Sequence, residues 1–170
     1  MITQGSEPRE SESKGDVYKN YHDRIAETKR DVDQLVTEIQ TKWPGALIFK
    51  TENPEKHKRL ALWSVSDFLL ITTLRDGQSI LPLEFIAVKK GEKKLGHSAV
   101  IMSQYAGCCR SLTGILKINP FSLEECMRSL DTVINMKESE REQRLQISFS
   151  YIENQSTKKW AETFLRDLKR

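Results

Sequence analysis

The sequence predicts an α/β fold built on a parallel sheet, and three observations lead to this class. Short apolar runs of strand length recur through the middle of the chain. Segments with apolar residues at helical spacing alternate with these runs, which is typical of parallel sheets. The run at residues 68–73 lacks strict alternation of apolar and polar residues, which indicates a strand that is covered on both faces. With 170 residues, the chain is long enough for one domain with its own core.

A polar segment and a long helix are predicted to open the chain. Residues 1–15 are rich in Ser, Glu, Pro and Gly and are interpreted as a polar segment, and residues 16–170 as one domain. Five apolar residues after Asp16 fall on one helical stripe with charged residues between them: Tyr21, Ile25, Val32, Leu35 and Ile39. The helix is predicted to end at the Trp-Pro-Gly segment 43–45.

Four apolar runs are predicted to be strands. They are residues 46–49, 68–73, 98–103 and 114–118. Residues 107–111 are predicted to be a loop or a short helical turn. Two helices, at about residues 138–153 and 156–169, are predicted to close the chain.

Three cap signals predict the helices between the strands. Asn53 followed by Pro54 predicts a helix start. Ser79 is predicted to cap a second helix that extends through residue 88, and Ser122 with Glu125 three residues later forms a capping-box signal for a third. The charged run EKHKR after Pro54 is interpreted as a solvated helix face.

Composition argues against several classes of function. The net charge of +3 comes from basic residues that are spread along the chain and nearly matched by acids, so no nucleic-acid partner is predicted. No apolar run approaches the roughly 20 residues of a membrane helix, and the N-terminus lacks a signal-peptide pattern. We therefore expect a cytoplasmic protein without a membrane partner. The three cysteines and three histidines lack the spacing of metal ligands, so no metal site is predicted.

One segment, LRDGQSILPLE, carries the candidate site. It follows the predicted strand 68–73, and ligands of open parallel sheets bind at the carboxyl ends of strands, beside helix N-termini. A glycine in this segment lets the backbone turn tightly. The N–H groups of about Ile80 and Leu81 lack partners within the helix and can bind phosphate. Asp76 and Glu84 are placed to accept hydrogen bonds from sugar hydroxyls. An ordinary Asp-Gly turn, with a Glu that the helix dipole favours, is the alternative.

Several segments together resemble one family. Asp76-Gly77, then Ile80-Leu81 and Glu84, resembles the Asp-Gly-Met-Asn-Leu-Val-x-x-Glu motif of trehalose-phosphate synthases. The segments VIMSQYAGCCRSLTGILKINPF, MKESEREQR and YIENQSTKKWAETFLRDL are similar to later motifs of that family. The segment SKGDVYKNYHDRIAETKRDVDQLVTEI is similar to the family's Ser-Arg-x-Asp-Val segment and the long helix after it. The resemblance covers nearly the whole chain and is nearest to the plant-like branch.

The resemblance implies a fold, a ligand and residue roles. These synthases are retaining glycosyltransferases with two Rossmann-like domains, and the chain resembles the C-terminal domain, which binds UDP-glucose. A partial Rossmann-like parallel sheet of about four strands, flanked by helices, is therefore expected. Asp76 is implied to contact glucosyl hydroxyls in the catalytic site, and Glu84 to hold the ribose. The groups implied to hold the diphosphate are the backbone of Gly77, Gln78 and Ser79 and the N–H groups of Ile80 and Leu81. No cofactor or metal is expected beside the donor substrate, UDP-glucose, or its product UDP.

Departures from the family's pattern bear on activity. Gln78 and Ser79 stand where the family has Met-Asn. The acceptor domain, which binds glucose 6-phosphate, and the Arg/Lys clamp on the donor phosphates have no counterpart here, and residues 1–4 are interpreted as the tail of a truncated strand. Because a charge-stabilised transfer depends on its cationic clamp, we predict no synthase activity for the chain alone. A separate acceptor domain or an active synthase subunit is the implied partner. The alternatives are a non-catalytic nucleotide-sugar-sensing or regulatory module and an inactive fragment.

Overall fold

The computed structural model describes the backbone of residues 14–169 and the side chains of residues 23–169. The chain divides into two compact units, one that extends to Asn53 and one that begins at Pro54. The predicted strand tail at residues 1–4 lies outside the described residues.

The first unit consists of helix α1 and the segment that follows it. Helix α1 spans Lys14–Lys42 and confirms the predicted long helix. Gly45 then takes a φ of +80°, a conformation that favours glycine, so the chain turns there. The predicted strand at residues 46–49 is wrong, because this segment has no regular structure and its Ile48 is 82% exposed. A strand needs a neighbour for its backbone N–H and C=O groups, and the described residues offer it none.

The second unit contains the α/β fold that the sequence predicts. Its helices are α2 (Lys56–Val65), α3 (Leu81–Gly91), α4 (Leu123–Asn135), α5 (Glu138–Asn154) and α6 (Thr157–Leu168). Its strands are β1 (Phe68–Ile71), β2 (Ala99–Ser103) and β3 (Leu116–Ile118), and single 3-10 turns lie at Leu95–His97 and Gly107–Arg110. The second of these turns and the closing helices α5 and α6 were all predicted.

The three strands form one parallel sheet in the order β1-β2-β3. Phe68 lies opposite Ala99, and Ile101 lies opposite Leu116. All five residues of the central strand β2 are buried, as expected for a strand that is covered on both faces. Strand β1 lies at the edge of the sheet, and Leu70 on it is 41% exposed. The prediction that the run at residues 68–73 is covered on both faces is therefore wrong for β1, and such coverage is found for β2 instead.

Helices cover the two faces of the sheet with separate apolar clusters. On one face, Met102 of β2 packs in a cluster with Phe85 of α3 and Leu145 of α5. On the other face, Ile101 of β2 packs in a cluster with Val133 of α4. Successive residues of β2 thus contribute to opposite clusters, which follows from the two-residue period of a strand.

The predicted caps of α2 and α3 are displaced. Helix α2 begins after Glu55, which is extended at φ −54° and ψ 152°, so Asn53 is not its cap. Helix α3 begins after Ile80 and ends at Gly91, and Ser79 is not its cap because that residue lies buried in the preceding loop. Both predicted helices exist, but each begins one or two residues later than the sequence signals indicate.

The capping signal of α4 is confirmed. The Glu125 backbone N–H donates a 3.2 Å hydrogen bond to the Ser122 hydroxyl. The Glu125 carboxylate accepts a 3.0 Å hydrogen bond from the backbone N–H of Asn119, so the segment before the helix is held as well. Three local residues therefore fix the start of this helix.

Candidate functional site

Two loops meet at the carboxyl edge of the sheet. One follows β1 and contains Asp76 and Gly77, and the other follows β2 and contains Ala106 and Gly107. The Gly107 N–H donates to the carbonyl oxygens of Gly77 at 2.8 Å and Asp76 at 3.2 Å. Asp76 and Ala106 also form an isolated parallel bridge, so the pairing of β1 with β2 resumes one loop beyond the strands. The segment that the sequence analysis selected therefore lies at the strand ends, and the loop after β2 lies beside it.

The two glycines at this junction differ in what a side chain would meet at each position. A Cβ on Gly107 would lie 2.6 Å from the Gly77 carbonyl oxygen, so only glycine permits this approach of the two loops. Gly77 has no positive φ, so left-handed backbone freedom does not explain it. A Cβ on Gly77 would meet nothing within 4 Å, and the backbone there faces open space. Such a surface permits a ligand to approach the main chain closely.

The start of α3 presents backbone N–H groups beside this open space. Ile80 is the N-cap residue and Leu81 is the first helical residue, so the two residues proposed from the sequence lie at the helix start. Pro82 follows and carries no N–H, and the Glu84 N–H already donates to the Ile80 carbonyl at 3.0 Å. The N–H groups of Leu81 and Leu83 therefore lack an acceptor within the helix. The role of Leu83 was not predicted from the sequence, because the predicted helix start lies one residue too early.

The residues between the turn and the helix divide by exposure. Gln78 is exposed and Ile80 is 59% exposed, whereas Ser79 is only 8% exposed. The backbone N–H of Ser79 is directed at the sulfur of Cys108, which is itself buried and lies 3.5 Å from the Met102 sulfur. Ser79 thus belongs to the packed floor of the loop, while its neighbours lie at the surface.

Cys108 is a buried neutral thiol that supports the loop. Burial raises its pKa, and the negative charge of nearby Asp76 raises it further, although the Ser79 amide acts in the opposite direction. Burial also raises the pKa of Cys109. A raised pKa lowers the thiolate fraction at neutral pH, and the thiolate is the reactive form. The pair is therefore unsuited to nucleophilic chemistry.

Glu84 forms an ion pair that the sequence analysis missed. Arg59 of α2 donates from Nε to Oε2 of Glu84 at 2.8 Å and from Nη2 to Oε1 at 3.0 Å. The Arg59 and Glu84 side chains are 23% and 14% exposed, so Arg59 does not lie on a solvated helix face as expected. This pairing lowers the pKa of Glu84, and burial opposes the effect only in part.

Trp63 completes the surroundings of the Glu84 carboxylate. Its indole N–H lowers the pKa of Glu84 a little further. The Trp63 Nε1 atom is buried and makes no hydrogen bond of normal geometry with any described residue. The Trp63 ring packs edge-to-face on Phe85 of α3, with the ring centroids 5.9 Å apart. This contact holds α2 against α3 and so places Arg59, one helical turn before Trp63, beside Glu84.

The described part of the chain offers neither a metal site nor a membrane-spanning helix. Among residues 23–169, whose side chains the structure describes, no three His, Cys, Asp or Glu side chains lie close enough together to hold a metal ion. None of the helices within residues 14–169 is both long and apolar enough to cross a membrane.

Comparison of the sequence with known proteins gives one consistent family. The sequence profile of Glycosyltransferase family 20 matches residues 6–170. Alpha,alpha-trehalose-phosphate synthase (UDP-forming) 1 of Arabidopsis thaliana is 34% identical over 113 residues, which are 66% of this chain and 12% of that protein. The corresponding synthase (UDP-forming) of Schizosaccharomyces pombe is 34% identical over 111 residues, which are 65% of this chain and 21% of that protein. The chain thus spans a minor part of the length of the relatives it matches.

Comparison of the structure with solved structures gives the same fold. A UDP-forming alpha,alpha-trehalose-phosphate synthase from Burkholderia xenovorans superposes with a TM-score of 0.72 at 24% identity, over 94% of this chain and 35% of that one. An E. coli trehalose-6-phosphate structure with bound UDP-2-fluoro glucose superposes with a TM-score of 0.72 at 24% identity, over 85% of this chain and 32% of that one. At this level of identity the similarity establishes the fold, which is the predicted α/β class.

Proposed function

The chain belongs to glycosyltransferase family 20, and from this premise we propose that it is the donor-binding part of a trehalose-phosphate-synthase-like glycosyltransferase. Its donor is UDP-glucose, and its chemistry belongs to trehalose biosynthesis. In the intact enzyme, the bond between the anomeric carbon and the diphosphate breaks while a bond to a hydroxyl of glucose 6-phosphate forms on the same face. UDP leaves with the electron pair, and the acceptor hydroxyl gives up its proton. No protein nucleophile, cofactor or metal is required.

The observation that carries this proposal is the junction of the two loops at the start of α3. The Gly107 N–H ties the loops together, Gly77 faces open space, and the N–H groups of Leu81 and Leu83 lack intrahelical acceptors. Unpaired N–H groups and the positive end of a helix dipole favour a phosphate at this position. A diphosphate with a sugar on each side fits such a junction at the carboxyl edge of a parallel sheet.

Each candidate residue has a distinct role in this proposal. Half-buried Asp76 accepts hydrogen bonds from glucosyl hydroxyls, and Glu84 accepts them from the ribose. The groups that hold the diphosphate are the backbone of Gly77, Gln78 and Ser79 together with the N–H groups of Ile80 and Leu81. Ser79 contributes least to phosphate binding, because its N–H is directed at the Cys108 sulfur.

Calorimetric titration with two ligands tests the donor site. We expect the chain to bind both UDP and UDP-glucose. Asp76→Asn should weaken UDP-glucose by about tenfold, the usual size of a lost hydrogen bond to a charged group, and leave UDP unchanged. Glu124→Gln, which also removes one negative charge and breaks an exposed ion pair on α4, is the control for altered charge. Failure of the wild-type chain to bind either ligand at millimolar concentration would refute the proposal, as would equal weakening of both ligands by Asp76→Asn.

Turnover separates a synthase part from a regulatory module. The chain alone, given UDP-glucose and glucose 6-phosphate, is expected to release no UDP, and addition of a separate family acceptor domain is expected to restore release. The second candidate function is nucleotide-sugar sensing without catalysis. The Arg59–Glu84 ion pair favours it, because a carboxylate that is already paired suits weak and reversible binding. UDP binding without turnover in the presence of the acceptor domain would select this candidate.

A further inference from the structure

The Arg59–Glu84 contact engages both oxygens of the carboxylate at once. Nε of Arg59 meets Oε2 of Glu84 at 2.8 Å, and Nη2 meets Oε1 at 3.0 Å, so two parallel N–H groups face the edge between the oxygens. With 23% and 14% of the two side chains exposed, this contact is shielded from solvent on most sides. Such a bidentate pair is both specific in geometry and stronger than a single hydrogen bond.

A ribose diol would use that same edge of the carboxylate. Two neighbouring hydroxyls donate in parallel, one to each carboxylate oxygen. The Nε–H and Nη2–H groups of Arg59, called the Arg59 fork below, are two parallel donors at a similar spacing. The lone pairs that remain on Glu84 point away from this edge, so they can serve single donors but not a diol. Arg59 and a ribose therefore compete for one edge of one side chain.

The position of Arg59 is fixed by the packing of α2 on α3. Trp63 lies one turn further along α2 and packs edge-to-face on Phe85 of α3 at 5.9 Å between ring centroids. Residues four apart on a helix lie on the same face, so Arg59 is held toward α3 as Trp63 is. The charged groups that act on the Glu84 carboxylate are Arg59 and, more weakly, Lys56, and the uncharged Trp63 N–H also faces it. Arg59 is thus the main built-in donor to this acid.

From this geometry we propose that Arg59 is a specificity-determining residue that competes with the ribose diol for Glu84. The inference rests on the proposed donor site. Binding of a ribonucleotide displaces the Arg59 fork from the carboxylate, so the wild-type chain gains little from the 2′-hydroxyl. The site consequently discriminates poorly between UDP and 2′-deoxy-UDP, and removal of Arg59 restores the discrimination.

The test is the ratio of the dissociation constants of 2′-deoxy-UDP and UDP, measured by calorimetry for each protein. Arg59→Leu should raise this ratio by about fivefold over wild type, the upper range for release of a partly exposed ion pair. In a Glu84→Gln background the same substitution should leave the ratio unchanged, because the acid for which Arg59 competes is absent. Arg128→Leu, which breaks an exposed ion pair elsewhere, should behave as wild type.

The outcomes separate this inference from the proposed function. If wild type binds UDP and Arg59→Leu leaves the ratio unchanged or lowers it, the competition is refuted while the donor site stands. A lowered ratio would mean that Arg59 positions Glu84 for the ribose. If no variant binds UDP or UDP-glucose, both ideas fail together.

A second measurement needs no variant and so does not depend on how Arg59→Leu folds. In the wild-type chain, the NMR signal of the Arg59 Nε–H group should move on saturation with UDP and move less with 2′-deoxy-UDP. A signal that stays in place at saturating UDP would show that the fork remains on Glu84, and this result would overturn the competition.

Discussion

Replacement of Gly107 by alanine would test whether the junction of the two loops is as tight as the structure shows. The new Cβ would lie 2.6 Å from the Gly77 carbonyl oxygen, whereas ordinary van der Waals contact begins at 3.4 Å. The loops must therefore part by about 0.8 Å, which lengthens the hydrogen bond from the Gly107 N–H to Gly77 beyond its present 2.8 Å. Overpacking of this kind costs about 1–3 kcal/mol. Loss of the hydrogen bond adds about 1 kcal/mol.

Two quantities are measured for each variant: the free energy of unfolding from urea titration, and the affinity for UDP from calorimetry. Gly107→Ala should lower the unfolding free energy by about 2–4 kcal/mol at an unchanged urea slope, since the surface exposed on unfolding is the same. If the loops yield instead, stability is spared and UDP affinity falls, because the junction has opened. Gly91→Ala is the control: a Cβ there meets nothing within 4 Å and the residue ends α3, so stability should hold or rise by up to about 1 kcal/mol. A Gly107→Ala chain with wild-type stability and wild-type UDP affinity would contradict the reasoning.

Three further predictions address the same unit. Gly77→Ala should leave the free energy of unfolding within about 1 kcal/mol of wild type, because the added Cβ meets no protein atom within 4 Å. The same Cβ should weaken UDP binding in calorimetry by about tenfold or more, because it obstructs the approach of the ligand to the backbone. Unchanged UDP affinity would mean that no ligand approaches the main chain there. Gly114→Ala should lower the free energy of unfolding in urea by about 3 kcal/mol, because the new Cβ would overlap the Arg144 carbonyl of α5. A loss under about 1 kcal/mol would show that the backbone at Gly114 packs less closely on α5 than the structure indicates. Glu84→Gln should make stability depend less on pH in acid, because the ion pair lowers the pKa of Glu84 in the folded chain. The stabilisation from this shift is complete above the unfolded pKa of about 4.3 and is lost as pH falls from that value through the folded pKa. Urea midpoints that fall equally with pH in both proteins would contradict this.

Local signals account for most of the secondary structure that the sequence predicted correctly. Ser122 and Glu125 are three residues apart and fix the start of α4 without help from distant residues. The apolar runs that became β1, β2 and β3 were also recognisable from their own residues, although helices as distant in sequence as α5 cover them. The run at residues 46–49 has the same local character and forms no strand, because pairing depends on a neighbour that the run itself does not specify. Whether a run forms a strand therefore depends more on distant residues than the start of a capped helix does.

The candidate site also contains features that the sequence predicts and features that depend on distant residues. The place of Asp76 and Gly77 at a strand end follows from topology alone, and the sequence sufficed to predict it. The Arg59–Glu84 pair joins residues that are 25 positions apart, and no spacing rule connects them. One signal was available: Arg59 lies four residues before Trp63, so a partly buried Trp63 implies a partly buried Arg59 on the same face of α2. A partly buried arginine needs an acidic partner, and Glu84 is the one acid of α3.

The ion pair also changes what a phosphate would experience at the start of α3. An unpaired Glu84 carboxylate one turn into the helix would repel a diphosphate that the dipole and the N–H groups of Leu81 and Leu83 attract. Arg59 cancels that repulsion while it occupies the edge that a ribose would use. The two effects act on different parts of one nucleotide and have opposite signs, so Arg59→Leu can change the absolute affinity for UDP in either direction. Because UDP and 2′-deoxy-UDP carry the same diphosphate, the phosphate contribution cancels in their ratio, and only the competition for the ribose remains.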